Sequence, residues 1–146
     1  MIKLRKSRED EISSFVEIEN LNDTPDFIIP YSSEKHLTEI RKPNVVYLSI
    51  VSKDTMLGFI ILATEDDSES VEFRRIVVAS KGNGVGQSAI FEMERYCKDI
   101  LKCNRIWLDV FEINKRGQHI YKKLGYKQFK TGEYNGKVLL CFSKKL

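Results

Sequence analysis

The residues best suited to chemistry lie in two short stretches. The first is Lys81-Gly82-Asn83-Gly84-Val85-Gly86, which joins a strand-like run, Phe73 to Val78, to a helical pattern beginning at Gln87. Glycines at alternate positions let the backbone curl so that successive N–H groups point one way. The first N–H groups of the following helix have no internal partner, and the helix dipole places partial positive charge there. A phosphate or pyrophosphate fits such a place without side-chain help, and Lys81 can add a cation at its mouth. The second stretch is Asn114-x-x-Gly117-x-x-x-Tyr121, followed by Gly125-Tyr126. On a helix, Asn114, Gly117 or Gln118, and Tyr121 fall near one face, so an amide and a phenol share a surface.

Three kinds of ligand compete for such a glycine turn. A nucleoside-triphosphate loop requires G-x-x-x-x-G-K-[ST], and no Gly-Lys-Ser/Thr follows here. A dinucleotide fingerprint is matched by Gly84-x-Gly86-x-x-Ala89, with Asp109 beyond it. That fingerprint belongs after the first strand of a doubly wound domain, whereas here hairpin-like strands precede it and little chain follows. The third reading takes in both stretches. Lys81-x-x-Gly84-x-Gly86 resembles the Q/R-x-x-G-x-G/A loop of the GNAT superfamily, the acyl-CoA-dependent N-acetyltransferases, with lysine in place of glutamine or arginine. The second stretch resembles the N-x-x-A-x-x-x-Y helix and following G-F/Y of the same family, with Gly117 at the usual alanine.

The resemblance implies transfer of an acetyl group from acetyl-CoA to a primary amine by direct attack in a ternary complex, without a metal. It implies that Ile76, Val77, Val78, Lys81, Gly82, Asn83, Gly84, Val85, Gly86 and Gln87 hold the cofactor, with Asn114 against the CoA arm. A backbone N–H near Val77 or Val78 would polarise the thioester carbonyl. Tyr121, with a reference pKa of about 10, would protonate the leaving thiolate. Glu72 would be the base, directly or through water, with Asp109 and Glu112 as lesser candidates. Strand alternation would place Glu72 on the side of Arg74 and Ile76. Phe27, Tyr31 and Tyr134 would line the acceptor pocket. A non-catalytic acyl-CoA-binding module of the same fold is the alternative that loss of the tyrosine would favour, and Tyr121 is present. The acceptor, whether small amine, aminoglycoside, amino acid or protein N-terminus, stays open. The acidic loop Glu65 to Glu69 suits a cationic one.

The elements that must position these residues follow from periodicity. Ile2 to Leu4 reads as a strand. Ser7 reads as the cap of a helix from Arg8 that buries Ile12, Phe15, Val16 and Ile18. Turn signals fill Asn20 to Tyr31, including Asn22-Asp23, Pro25 and Pro30. Ser32 or Ser33 opens a helix to Arg41 that buries Leu37 and Ile40. Val45 to Val51 and Met56 to Ala63 form a hairpin about Ser52-Lys53-Asp54-Thr55. After the glycine turn comes a helix burying Ala89, Ile90, Met93, Tyr96, Cys97, Ile100 and Leu101. Arg105 to Phe111 is then a strand parallel to the one before the turn. Asn114 to Leu124 is a helix closed by Gly125. Tyr126 to Lys130 pairs with Val138 to Phe142 across a Gly132-to-Gly136 loop. The order β-α-α-β-β-β-α-β-α-β-β gives a mixed α/β sheet of GNAT type. It is mostly antiparallel with a parallel central pair, has helices on both faces, and fills one domain over 1–146.

Composition bounds the partners. A hydrophobic share of 42% with 31% charged residues fits a globular domain. A net charge of +3, without a clustered basic run, gives no support for nucleic acid. Cys97, Cys103 and Cys141 show neither disulfide nor zinc spacing, and Cys97 falls on an apolar helix stripe. No apolar run suits a membrane span, and MIKLRKSRED has no signal core. A cytoplasmic protein is expected, with a homodimer left open. His36 and His119 are isolated and read as surface or satisfied histidines.

Overall fold

Strands rich in branched apolar residues build one seven-stranded sheet. They are β1 (Lys3–Lys6), β2 (Val45–Ser52), β3 (Thr55–Thr64), β4 (Ser70–Val78), β5 (Arg105–Phe111), β6 (Lys127–Tyr134) and β7 (Lys137–Lys145). Their spatial order is β1-β2-β3-β4-β5-β7-β6. The computed structural model describes residues 1–21 and 27–146, so the Asn22-Asp23 and Pro25 turn signals lie outside the described residues. Every neighbouring pair is antiparallel except β4 and β5, which run parallel.

Helices cover both faces. On one face α3 (Val85–Asp99) buries Ala89, Ile90, Met93 and Cys97 against Leu48, Ile50, Ile60 and Leu62. Ile120, Tyr121 and Leu124 of the α4 segment (helix Lys115–Lys123) pack on the same cluster. On the other face α1 (Ile12–Glu19) and α2 (Ser33–Ile40) cover Tyr47, Phe59, Ile61 and Ala63. Alternate residues of β2 and β3 thus feed two cores, which is why these strands read as continuous apolar runs. Burial pushes the Cys97 thiol up to about 12, as expected of a core cysteine. Among the described residues no helix is long and apolar enough to cross a membrane.

One irregularity in β4 shapes the molecule. Arg75 pairs with Ile61 and Phe73 with Leu62, so Arg74 is an extra residue, a β-bulge. The bulge reverses the alternation along β4. Val71 and Phe73 face the α3 core before it, and Ile76 and Val78 face that core after it. Glu72 is therefore not on the side of Ile76, which corrects the simple alternation read from the sequence. The parallel ladder with β5 covers Ser70, Val71 and Glu72 and stops there. Beyond that point β4 and β5 diverge and leave a cleft.

Several boundaries differ from the sequence reading for local reasons. Ser7 does not cap α1, because its hydroxyl bonds Ser49 at 2.7 Å. A short 3-10 turn, Glu9–Glu11, precedes the helix instead, with Arg8 N donating to the Glu11 carboxylate at 2.9 Å. In α2, Ser32 is the cap, accepting from Lys35 N. That helix buries His36 and Glu39, while Leu37 and Ile40 are half-buried. Helix α3 begins at Val85, two residues before Gln87, and Ile100 lies past its end, 64% exposed. The last hairpin is longer than expected. Only Asn135 and Gly136 turn, with φ of 50° and 78°, and Gly132 to Tyr134 continue β6. Both central residues at positive φ make the two-residue hairpin turn that strand twist favours.

Candidate active site

The cleft between β4 and β5 opens onto two pockets that share Phe27 and Ile28. The first has a cavity of about 260 Å³ and lies at the glycine turn. Gly82 and Gly84 have φ of 86° and 80°, values that disfavour any side chain. Gly84 is the residue before α3, and Asn83 Oδ1 accepts from Val85 N at 3.3 Å. The N–H groups of Gly86 and Gln87 belong to the first turn, where no intrahelical partner exists. Gly86 differs from the other two. Its φ is ordinary, and a Cβ there would meet nothing within 4 Å. The fold does not need glycine at 86, so a close-approaching ligand is the physical reason available for it.

The backbone of β4 adds further donors to this cleft. Ala79 N donates to Leu57 O at 2.8 Å. Antiparallel pairs alternate between bonded and unbonded, so Val77 is bonded to β3 while Ile76 and Val78 turn their amides toward the cleft. Of the two positions expected to polarise a carbonyl, Val77 and Val78, only Val78 turns its amide away from β3. Gly58 lets β4 lie this close, since a Cβ there would be 2.1 Å from the Val77 carbonyl oxygen.

Helix α4 supplies the opposite wall. Asn114 is its cap, accepting from Gly117 N at 2.9 Å. A Cβ on Gly117 would come within 2.7 Å of the Asn114 amide nitrogen, so glycine rather than alanine allows this cap geometry. Gln118 is buried and donates to the carbonyls of Glu112 (2.7 Å) and Asn114 (3.2 Å). Gly125, at φ 96°, ends the helix, and the buried Tyr126 donates to Glu94 of α3 at 2.8 Å. Tyr121 is thus held at fixed height, edge-on to Phe73 (6.1 Å) and Tyr126 (5.9 Å). Its hydroxyl makes no hydrogen bond among the described residues. Burial pushes its phenol up to about 12, so it keeps its proton.

Every residue expected to hold the cofactor lines this first pocket: Ile76, Val77, Val78, Lys81 to Gln87, and Asn114, with Tyr121 beside them. Ser80, Ile90, Ile120 and Arg116 join them without having been expected. Arg116 follows Asn114 by two residues, and its charge next to the motif was a usable signal. Among the described residues the charged side chains lining the pocket, Lys81 and Arg116, are both cations. That wall suits an anionic ligand.

Glu72 lies apart from this group, in the second pocket. This cavity is about 330 Å³ and is lined by Glu72, Arg74, Arg75, Asp109 and Phe111, with Phe27, Tyr31 and Tyr134 as expected. Glu72 Oε1 accepts from Arg74 Nη2 and Nε at 3.0 and 3.2 Å. Arg74 also reaches Glu39 of α2 at 3.0 Å. Arg75 pairs with the fully buried Glu19, donates to Ile29 O at 2.8 Å, and stacks on Tyr31 at 4.0 Å. Asp109 meets bulk water at the pocket edge but has protein on several sides. That enclosure raises its carboxyl above the usual range, against an opposing pull from Arg74. Glu112 lines neither pocket. Among the described residues no group of three His, Cys, Asp or Glu side chains is placed to hold a metal ion.

Comparison with known proteins agrees with this architecture. Similar solved structures include spermidine N-acetyltransferase from Vibrio cholerae in complex with CoA and spermine. It is 18% identical with a TM-score of 0.84, over 99% of this chain and 95% of that one. The same organism's spermidine/spermine N-acetyltransferase SpeG with manganese ions is 19% identical with a TM-score of 0.78, over 99% and 92%. A candidate phosphinothricin N-acetyltransferase is 17% identical with a TM-score of 0.83, over 100% and 99%. At these identities the likeness is one of fold. No curated protein sequence matches the chain. The model of the acetyltransferase (GNAT) family matches residues 10–126, and the chain therefore belongs to the GNAT acetyltransferase family.

Proposed function

We propose that the protein transfers an acetyl group from acetyl-CoA to a primary amine of a small molecule, by direct attack with both substrates bound. The observation that carries this reading is the divergence of β4 from β5. It joins a cation-walled pocket to a second pocket holding carboxylates, through the shared residues Phe27 and Ile28. Amine substrates named for structurally similar enzymes, spermidine and spermine, support a small-molecule acceptor.

Acetyl-CoA, when bound, supplies the thioester whose C–S bond breaks as the amide C–N bond forms. Lys81, Arg116 and the N–H groups of Gly86 and Gln87 hold its phosphates, and Asn114 lies along its arm. The Val78 N–H donates to the carbonyl oxygen as negative charge develops there. Glu72 takes the amine proton through Oε2, directly or through water, since Arg74 occupies Oε1. Tyr121 gives its proton to the departing sulfur. Holding both substrates in line does much of the remaining work.

Gly86→Ala tests the cofactor site cleanly. Alanine is the better helix former by about 0.8–1 kcal/mol, and the space is open, so the unliganded variant should melt no lower than wild type. Acetyl-CoA at about 100 times its Kd should stabilise wild type by about 2.7 kcal/mol. The variant should lose most of that shift, because its methyl keeps phosphate off the backbone. Equal shifts in the two proteins would remove the phosphate from this turn. Gly84→Val is the poorer probe, since φ of 80° strains a branched residue with or without ligand.

Glu72→Gln tests the base. Turnover should fall chiefly at low pH, where few acceptor amines are already neutral, and recover toward wild type as pH rises. A pH–rate profile superimposable on wild type would take Glu72 out of the mechanism.

A further inference from the structure

Charge pairing in the second pocket singles out one group. Among the described residues its lining carries four charged side chains, Glu72, Arg74, Arg75 and Asp109. Three are engaged: Arg75 with Glu19, and Arg74 with both Glu72 and Glu39. Asp109 forms no ion pair among the described residues. The groups that face it do not neutralise it. Arg74 and Glu72 on β4 are tied to one another. Cys141 is opposite on β7, with burial and the Asp109 charge itself both raising its thiol, so it stays neutral. Lys130 lies in the same cross-strand row, on β6 beyond Cys141, and makes no ion pair with Asp109 across the intervening strand. Tyr134 adds an aromatic ring to the wall, while the Tyr31 ring already carries Arg75. Both arginines are engaged, so among the described residues an acceptor bearing a carboxylate or phosphate finds no unpaired cation in this pocket. A cation finds an unpaired carboxylate and the Tyr134 ring, both of which favour it.

We infer that Asp109 anchors a protonated nitrogen of the acceptor and so makes this protein select small di- and polyamines. This rests on the reading of the site as an N-acetyltransferase. The nitrogen that attacks must be neutral, so the nitrogen that pairs with Asp109 is a different one, and a monoamine cannot satisfy both requirements. Asp109 is a specificity-determining residue here, separate from the proton transfers assigned to Glu72 and Tyr121.

Calorimetric titration of putrescine and of butylamine, a diamine and a monoamine of equal chain length, into the CoA complex tests this without relying on turnover. Wild type should bind putrescine about 10–100-fold more tightly, the range of a hydrogen bond to a charged group. Asp109→Asn, nearly isosteric and at the pocket edge, should bind the two alike, and Asp109→Glu should restore part of the preference. Lowering the pH through the raised range of Asp109 should weaken putrescine binding by wild type, because the carboxylate is neutralised while amines near pKa 10.4 stay charged. Asp109→Asn should lack that dependence, which a merely structural role would not produce. Equal binding of the two amines by wild type, undiminished putrescine binding by Asp109→Asn, or no binding of either amine overturns the inference. Failure of the underlying reading shows separately, as absence of acetylated product from any amine.

Discussion

Replacing Tyr121 with phenylalanine should cut amine-dependent turnover by about 10²–10⁴-fold, the usual worth of a positioned general acid. Acetyl-CoA affinity and thermal stability should stay close to wild type. The ring keeps its edge contacts with Phe73 and Tyr126. The hydroxyl that is lost bonds no protein group among the described residues, so no buried partner is orphaned. Burial holds the phenol up to about 12, so Tyr121 is protonated throughout the range in which the protein is assayed. The loss should therefore be a nearly constant factor with pH, unlike the low-pH defect expected for Glu72→Gln. A core-aromatic role predicts near-normal turnover with a small stability change. Steady-state rates and a calorimetric CoA titration on the same protein separate the two. Turnover within a factor of about two of wild type, far short of the general-acid range, would show that Tyr121 is not the acid.

Removal of the Glu19 carboxylate should have the largest effect on stability. Glu19 is fully buried and accepts from Arg75 and from His36 Nε2. A carboxylate can only accept, so Nε2 is the donor, and His36 Nδ1 meets the Tyr47 hydroxyl at 2.7 Å. Burial pushes the Tyr47 phenol well above its ordinary value. Stacked Phe15 and Phe59, 4.3 Å apart, close the cluster. Glu19→Ala leaves a guanidinium and an imidazole buried without their partner, a change that costs about 3–5 kcal/mol. For a chain of this size that is a fall in Tm of roughly 6–20 °C, matched by a lower urea midpoint. The site should feel it as well. Arg75 holds Tyr31 and the Ile29 carbonyl in the wall of the second pocket, so KM for the amine should rise more than KM for acetyl-CoA. A stability loss below about 1 kcal/mol, the size of an exposed ion pair, would mean the network is not what holds this wall.

What the sequence disclosed and what it concealed divide along sequence distance. The glycine turn and the Asn114-to-Tyr121 helix are local patterns, each requiring a few neighbouring residues to adopt one geometry. Their residues come together at one pocket. The parallel β4–β5 pair followed from the helix between those strands, whereas the insertion of β7 between β5 and β6 had no local signal. The bulge at Arg74 had no local signature, because Glu72 to Ile76 alternates plausibly without it. It nevertheless decides which face Glu72 takes. The Glu19–Arg75 pair joins residues 56 apart, and the sequence holds nothing that links them. His36 read as isolated because its partners, Glu19 and Tyr47, are contributed by other elements. Asn135-Gly136 was a legible hairpin signal, masked by Gly132, which proves to be an ordinary strand residue.

Product analysis tests the central claim most directly. The purified protein is mixed with acetyl-CoA and a panel of small amines, and both free CoA thiol and the amine product are measured by mass spectrometry. The account predicts an N-acetylated amine formed one-for-one with CoA, dependent on the amine, and strongly reduced in Tyr121→Phe. Tight acetyl-CoA binding with no amine-dependent product from any member of the panel would contradict it and identify a binding module of the same fold.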